Sequence, residues 1–314
     1  MTKRELRIVY MGTPDFAVPA LDALVSGGYN VVGVVTMPDK PVGRHQNQLQ
    51  ASPVKLYALE HGIRVLQPEK LKDEGFLCEL RSLGADLQVV VAFRMLPEVV
   101  WAMPRLGTFN LHAALLPQYR GAAPINWAII NGETRTGVTT FFLDKDIDTG
   151  AVIMQRSVEI GPDDDAEVVH DRLMALGAEL VCETVQDIVE GRVRTVSQNG
   201  MVVEGDLHAA PKIFRETCEI RWGEHTAQTA HNFVRGLSPY PGAWCMVRDA
   251  VGREMVLKVL RTMLLPEGSV AENVLDVVLE GGVLRIVGLQ LAGKKRMSRE
   301  DFLRGTRVDG WQLV

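Results

Sequence analysis

Apolar positions in the first half of the chain switch repeatedly between short runs and helical spacing. Leu6–Tyr10 and Asn30–Thr36 read as strands, and Phe16–Val25 between them takes helical spacing after Pro14. Pro53–Glu60 predicts a short helix, Ile63–Leu66 a third strand and Gly75–Leu83 another helix. Asp86–Ala92, with Val89, Val90 and Val91 in succession, has the character of a strand buried on both faces of a parallel sheet. Thr108–His112 predicts the next strand and Pro124–Ile130 a helix. Paired strands follow near Thr136–Leu143 and Ala151–Val158, and Asp165–Glu190 is long enough to close a domain. Strands alternating with helices in this way predict an α/β fold built on an open, doubly wound sheet.

The pattern changes after Gly191. Val193–Leu207 mixes short β-branched runs with turns and suits a linker, and a helix is expected near Thr226–Leu237. Short strands near Ala243–Val247, Glu254–Leu260, Val274–Val278 and Val283–Leu289, punctuated by Glu280-Gly-Gly282, predict a small β-barrel. At 314 residues the chain can supply each of two domains with its own core. A hydrophobic content of 46% with 23% charged residues sets aside the disordered class.

Leu6–Met11 is too short for a signal-peptide core, and no run approaches the roughly 20 apolar residues that span a bilayer. The expected location is the cytoplasm. Cys78, Cys182, Cys218 and Cys245 lack Cys-x-x-Cys spacing, which argues against a disulfide framework or a zinc site. The net charge of −5 is uneven: from Leu207 onward there are 15 Lys and Arg against 12 Asp and Glu, leaving −8 for the residues before. That asymmetry fits a small-molecule enzyme with a polyanion-binding appendix, and equally an ordinary solvated surface.

The turn after the first strand, Met11-Gly12-Thr13-Pro14-Asp15-Phe16, has one glycine where a dinucleotide fingerprint needs three. This argues against a nicotinamide or flavin oxidoreductase and leaves Gly12 as a tight-turn residue. The long polar stretch from Met37 to Pro53 follows a strand end, and its Arg44 is either a phosphate contact or a solvated side chain. Phe93-Arg-Met-Leu-Pro97 comes straight after the buried strand, where its backbone would be able to read the edge of a planar heterocycle.

Candidate chemistry centres on Asn110 and His112. In a strand they share one face, so an amide and an imidazole project together where a loop begins. A carboxylate from Asp144, Asp146 or Asp148 would complete an oxyanion stabiliser, a proton carrier and an orienting group. No serine or cysteine stands beside them as a nucleophile, which favours acyl transfer directly to an incoming amine. One histidine among aspartates is poor evidence for a metal, and none is expected.

These residues sit in longer stretches that carry a resemblance. They are Met-Gly-Thr-Pro-Asp-Phe-Ala (11–17), Pro-Asp-Lys-Pro-Val-Gly-Arg (38–44), Asn-Leu-His-Ala-Ala-Leu-Leu-Pro-Gln-Tyr-Arg-Gly-Ala-Ala-Pro-Ile (110–125) and Leu-Asp-Lys-Asp-Ile-Asp-Thr-Gly (143–150). Further on come Ala-Pro-Lys-Ile (210–213), Arg-Gly-Leu-Ser-Pro-Tyr-Pro-Gly-Ala-Trp (235–244) and Leu-Gln-Leu-Ala-Gly-Lys-Lys-Arg-Met (289–297). Over essentially its whole length the chain resembles the methionyl-tRNA formyltransferases. The Asn-x-His and Leu-Leu-Pro pieces are common to all 10-formyltetrahydrofolate-dependent transferases, and the later pieces narrow the resemblance to the tRNA enzymes.

The resemblance implies a Rossmann-like doubly wound formyltransferase domain over 1–190, a linker over 191–208 and an OB-like β-barrel, tRNA-binding, over 209–314. It implies formyl transfer from 10-formyltetrahydrofolate to the α-amino group of initiator methionyl-tRNA, by a monomer without a metal. Asn110, His112 and Asp148 fall on the catalytic positions, with Asp148 orienting His112 directly or through a water. Phe93, Arg94, Met95 and Leu96, Ala114, Leu115, Leu116 and Pro117, and Asp144 fall on the folate-binding stretches. Arg44 with Lys294, Lys295 and Arg296 fall on the tRNA-facing surface. Two departures stand out: Ala114 replaces the usual serine, and His-Gln-Asn-Gln-Leu-Gln follows Arg44 where lysines are usual. A sugar-nucleotide N-formyltransferase with the same donor is the enzyme alternative.

Overall fold

The computed structural model describes residues 2–42, 48–202, 205–266 and 268–314. The chain divides into two compact units. One comprises Met1–Gly121, Gly137–Val158 and His170–His208, the other Ala122–Thr136, Glu159–Val169 and Ala209–Val314.

The first unit is built on a seven-stranded sheet. Its strands are β1 Arg7–Gly12, β2 Asn30–Val35, β3 Val65–Leu66, β4 Leu87–Val91, β5 Thr108–His112, β6 Arg135–Phe142 and β7 Val152–Glu159. They lie in the order β7-β6-β5-β4-β1-β2-β3. β1 runs parallel to β2 and β4, and β4 parallel to β5, while β6 runs antiparallel to β5. All five residues of β4 are buried, as the apolar run requires of a strand covered on both faces. Its one polar member, Gln88, accepts a hydrogen bond from Thr108 Oγ1 (2.9 Å).

The chain moves outward from β1 through β2 to β3, then returns to place β4 and β5 on the other side. The reversal leaves a crevice beyond the carboxyl ends of β1 and β4, where open α/β sheets bind ligands. The helix Ala166–Glu190 repeats apolar positions at Val169, Leu173, Leu180 and Val185, all fully buried. A Cβ on its Gly177 would lie 2.6 Å from Leu111 Cδ2, so a side chain there would prise the helix off β5.

Two stretches differ from the pattern-based expectation. Within 37–53, Lys40–Val42 pairs antiparallel with Gln48–Gln50, a ladder that Pro41 hides because proline reads as loop. Arg44 lies outside the described residues. The 191–208 stretch, expected as a linker, lies within the first unit. Its β-branched Val196 exchanges backbone hydrogen bonds with Val152 (2.9 and 2.8 Å) instead of acting as a spacer.

The second unit holds a curled antiparallel sheet of β8 Ala243–Arg248, β9 Glu254–Leu264, β10 Asp276–Leu279, β11 Gly282–Leu291, β12 Met297–Ser298 and β13 Gln312–Leu313. The order is β10-β11-β9-β8-β13 with β12 beside β11, and among the described residues no ladder joins β10 to β13. Thr226 and Thr229 form a reciprocal capping box that starts the helix Ala227–Leu237, whose apolar face joins the core of Leu257, Val259, Ile286 and Leu289. Asp276 is fully buried and paired with Arg285 (2.8 Å) and Arg299 (3.0 Å), which is what a charge in that position needs. Among the described residues no helix is long and apolar enough to cross a membrane.

Candidate active site

The site grows from the carboxyl end of β5. Asn110 pairs with Val90 on one side and Phe141 on the other, and His112 follows two residues on, projecting from the same face. His112 is only 5% exposed. Its Nε2 lies 2.8 Å from the carbonyl oxygen of Tyr119, which can only accept, so Nε2 carries the hydrogen. In the neutral ring Nδ1 then offers a lone pair. Nδ1 faces Asp148 Oδ2 at 3.8 Å, beyond direct hydrogen-bond reach. Two acceptors face each other across a gap that suits an N–H or O–H donor.

Burial pushes the His112 pKa below its ordinary value; the Asp148 charge and the Tyr119 carbonyl pull partly the other way. The ring is therefore held neutral at physiological pH, with the Nδ1 lone pair open to a proton. Asp148 sits at φ +55°, a left-handed conformation that aspartate tolerates better than most residues. Its Oδ2 accepts a hydrogen bond from the Gly121 N–H (3.0 Å). Of the three candidate carboxylates Asp148 is the one that reaches His112. Asp144 is exposed, and its Oδ1 accepts from Asp146 N–H (3.1 Å) and Thr149 Oγ1 (2.8 Å), shaping the loop from within. The half-buried Asn110 amide has no hydrogen-bond partner among the described residues, so it remains available to a ligand.

The turn after His112 is pinned from beneath. Thr139 Oγ1 donates to Ala114 O (2.6 Å) and accepts from Leu116 N–H (3.1 Å), while Gln155 Nε2 donates to Leu116 O (2.8 Å). Ala114 is fully buried, so its side chain faces protein rather than the crevice. Leu116 packs on Phe141 and Val152; Pro117 is buried and Leu115 half-buried.

At the crevice, Gly12 ends β1 where a Cβ would meet Ala17 Cβ at 2.7 Å and Val91 O at 3.0 Å, so close approach demands glycine. Thr13 Oγ1 is buried without a partner among the described residues. Ala92 takes φ +48° and turns the chain into Phe93–Leu96. Arg94 is spent on structure: its guanidinium donates to the carbonyls of Glu69 (2.8 Å) and Pro68. Leu96 belongs to the core, Met95 is exposed and Phe93 half-buried. Only the backbone of this segment and the Phe93 and Met95 side chains remain for a ligand.

Lys294, Lys295 and Arg296 are exposed on the turn between β11 and β12. Arg296 donates to Pro239 O (3.0 Å) and lines a cleft of about 310 Å³ with Arg235, Arg261, Asp163, Asp165 and Glu167. The residues that sequence reasoning missed act through the backbone, a buried hydroxyl or side-chain amides. Tyr119 supplies a carbonyl, Thr139 and Gln155 hold the turn, and Gln198 reaches the backbone of Asp148 and Gly150 (2.9 and 2.8 Å). None of these sits in a pattern that its neighbours reveal.

A doubly wound sheet in this strand order, followed by a curled antiparallel unit, defines a two-part α/β enzyme with its chemistry at the strand ends. Residues 6–185 match the family described as formyl transferase, and residues 212–307 match the formyl transferase C-terminal domain. The chain is 57% identical over 314 residues to the methionyl-tRNA formyltransferase of Bacteroides fragilis, covering 97% of this chain and 96% of that one. It belongs to the formyl transferase family. Among solved structures, WlaRD, a sugar 3N-formyl transferase crystallised in the presence of dTDP and 5-N-formyl-THF, aligns with TM-score 0.62 at 18% identity, over 92% of this chain and 99% of that one. HypX from Aquifex aeolicus in complex with tetrahydrofolic acid aligns with TM-score 0.61 at 18% identity. That alignment covers 96% of this chain, which spans about half (48%) of HypX. These two likenesses bear on the fold alone.

Proposed function

We propose that this enzyme transfers the formyl group of 10-formyltetrahydrofolate to the α-amino group of methionyl initiator tRNA, the reaction that prepares the first aminoacyl-tRNA of translation. The observation that carries the chemistry is the gap between His112 Nδ1 and Asp148 Oδ2, two acceptors 3.8 Å apart beside an unengaged Asn110 amide. Similarity to the Bacteroides relative supports the tRNA acceptor.

The folate supplies an activated formyl carbon. The crevice suits its planar ring: backbone of Ala92–Met95 lies along one side, and the orphaned Thr13 hydroxyl offers a buried polar contact. His112 Nδ1 and Asp148 Oδ2 accept the amine N–H groups, aiming the nitrogen lone pair at the formyl carbon. As the C–N bond forms, the carbonyl π pair moves to oxygen, and the Asn110 amide donates to that oxygen. His112 takes the amine proton at Nδ1, since Nε2 is already committed to Tyr119, and Asp148 stabilises the resulting imidazolium. The same proton passes to the folate nitrogen as its bond to the formyl carbon breaks. In this assignment His112 is the proton carrier and Asn110 the oxyanion donor.

Lys294, Lys295 and Arg296 meet phosphates of the tRNA and position it without reading sequence. The test offers methionyl initiator tRNA and amino-sugar nucleotides to the enzyme with the same folate donor. Formyl-methionyl-tRNA as the favoured product is expected; preferential formylation of the sugar would replace this reading with the sugar-nucleotide one.

A further inference from the structure

We propose that Gln198 is a positioning residue for the reaction, bracing Asp148 from the 191–208 stretch and thereby setting the gap to His112. Gln198 is 4% exposed, and every polar atom of its side chain is engaged. Nε2 donates to the carbonyl oxygens of Asp148 (2.9 Å) and Gly150 (2.8 Å). Oε1 accepts twice from Arg120, from Nε (3.0 Å) and Nη2 (2.6 Å). The amide thus bridges a guanidinium on one side and the two carbonyls flanking Thr149 on the other.

The brace has a physical purpose at Asp148. A non-glycine residue at positive φ costs on the order of 1–3 kcal/mol and persists only where its surroundings over-determine it. Asp148 adopts φ +55°, and the Asp144 carboxylate that ties Asp146 N–H and Thr149 Oγ1 holds the loop on either side of it without touching Asp148 itself. Gln198 holds the carbonyl on the far side of the strained residue, and Gly121 N–H holds the carboxylate. Between them they fix both ends of the residue and so set Oδ2 opposite Nδ1. Arg120 follows Tyr119, whose carbonyl sets the His112 tautomer, so Gln198 touches one wall of the gap directly and reaches the other through the Tyr119–Arg120 peptide link.

The kinetic part of the test rests on the proposed formyl transfer; the spectroscopic part does not. Two full-length variants are used. Gln198→Glu keeps an acceptor for Arg120 but sets a carboxylate oxygen against two carbonyls; Gln198→Met removes both halves. With methionyl-tRNA as acceptor, kcat should fall at least about tenfold, toward the roughly 100-fold that a misplacement of about 1 Å costs, with both KM values within about twofold. In Gln198→Met, which adds no charge, the 15N NMR titration of His112 should move to lower pH, because the carboxylate that favours the imidazolium has drawn back. A merely stabilising role would lower the melting temperature without moving that titration. Wild-type kcat and an unmoved titration in a folded variant overturn the proposal. If wild-type enzyme fails to formylate methionyl-tRNA, the functional reading falls, and the titration still decides the role of Gln198. Should neither variant fold, Arg120→Met, which releases Gln198 Oε1, is read by the same two measurements.

Discussion

Replacing Asp148 by asparagine isolates the charge that faces His112. Asparagine is the right substitute because it is nearly isosteric and, after glycine, among the residues best suited to the positive φ of +55° at this position. Unit charges 3.8 Å apart attract by about 4 kcal/mol at an effective dielectric of about 20. Both side chains are well buried, at 6% and 14% exposure, so solvent screening removes little of this. In the mechanism that attraction exists only once His112 has taken the amine proton, so it acts on the transition state rather than on substrate binding. Four kcal/mol corresponds to about a thousandfold in rate, and partial proton transfer reduces the expected loss of kcat to between about 100- and 1,000-fold. KM for donor and acceptor should stay near wild type, because the asparagine carbonyl oxygen can still accept the amine N–H.

The pH profile gives an independent sign. Burial lowers the His112 pKa and the Asp148 charge raises it, so without that charge the acidic limb of kcat shifts to lower pH. Single-turnover formylation of methionyl-tRNA at saturating donor, from about pH 5 to about pH 8, measures both effects. A kcat within tenfold of wild type, or an acidic limb that stays put or moves up, would refute the charge-stabilised imidazolium.

Asn110→Ala should reduce kcat by about 100- to 1,000-fold while folate binding, followed by equilibrium dialysis, holds; unchanged turnover would remove the amide from the oxyanion role. Gly150→Ala would put a Cβ 1.7 Å from Phe142 O, and the required backbone shift should cost about 3 kcal/mol in urea unfolding, a loss that a wild-type midpoint would disprove. Lys295→Ala should weaken tRNA binding about equally for all sequences and reduce the salt slope by about one, and an identical slope would move the phosphate contact elsewhere. Burial lowers the pKa of His112 and of His231, the latter further lowered by Arg235 and partly restored by the Pro162 carbonyl and Asp163. The stability from keeping both neutral is complete above the unfolded-state value near pH ~6.5 and is lost as pH falls through the depressed folded values. Urea midpoints should therefore fall below about pH 6.5, less steeply in His231→Gln; a midpoint that rises on acidification would contradict the sign.

The pattern of apolar residues located the sheet because burial on both faces leaves no polar alternation to misread, as in Leu87–Val91. Proline at the first helical position marks two helix starts to the residue, Pro53–Glu60, where Ser52 Oγ accepts from Lys55 N–H, and Pro124–Ile130, whereas the helix expected over Phe16–Val25 is Val18–Ser26. The Lys40–Val42 ladder was not readable, because Pro41 carries the same signal in a loop and on an edge strand. At the site, strand periodicity placed Asn110 and His112 together, but it left Asp144, Asp146 and Asp148 as equals. What separates them is a left-handed backbone at Asp148 and an N–H from Gly121, neither of which a side-chain pattern encodes.

The histidine depends on its backbone surroundings even more than the aspartate does. Side-chain identity says that residue 112 titrates near neutrality; it does not say which nitrogen is the base. That choice belongs to the Tyr119 carbonyl, an acceptor any residue would supply, provided the backbone at φ +59° points it at Nε2. The orientation is itself held at a distance. Tyr119 N–H donates to His208 O (2.7 Å), Gln118 donates to Asp206 O (2.8 Å) and accepts from His208 N–H (2.8 Å), and the Tyr119 and His208 rings stack at 5.9 Å. Residues 206–208 thus govern the tautomer of a ring they do not touch. A substitution at Gln118 should therefore register first in the His112 titration, and in binding of either substrate only afterwards. Read as a spacer, this stretch would tolerate almost any sequence; as the support of a tautomer, it must keep its backbone at 206–208 against Gln118 and Tyr119 and a flat ring at His208 against the Tyr119 ring.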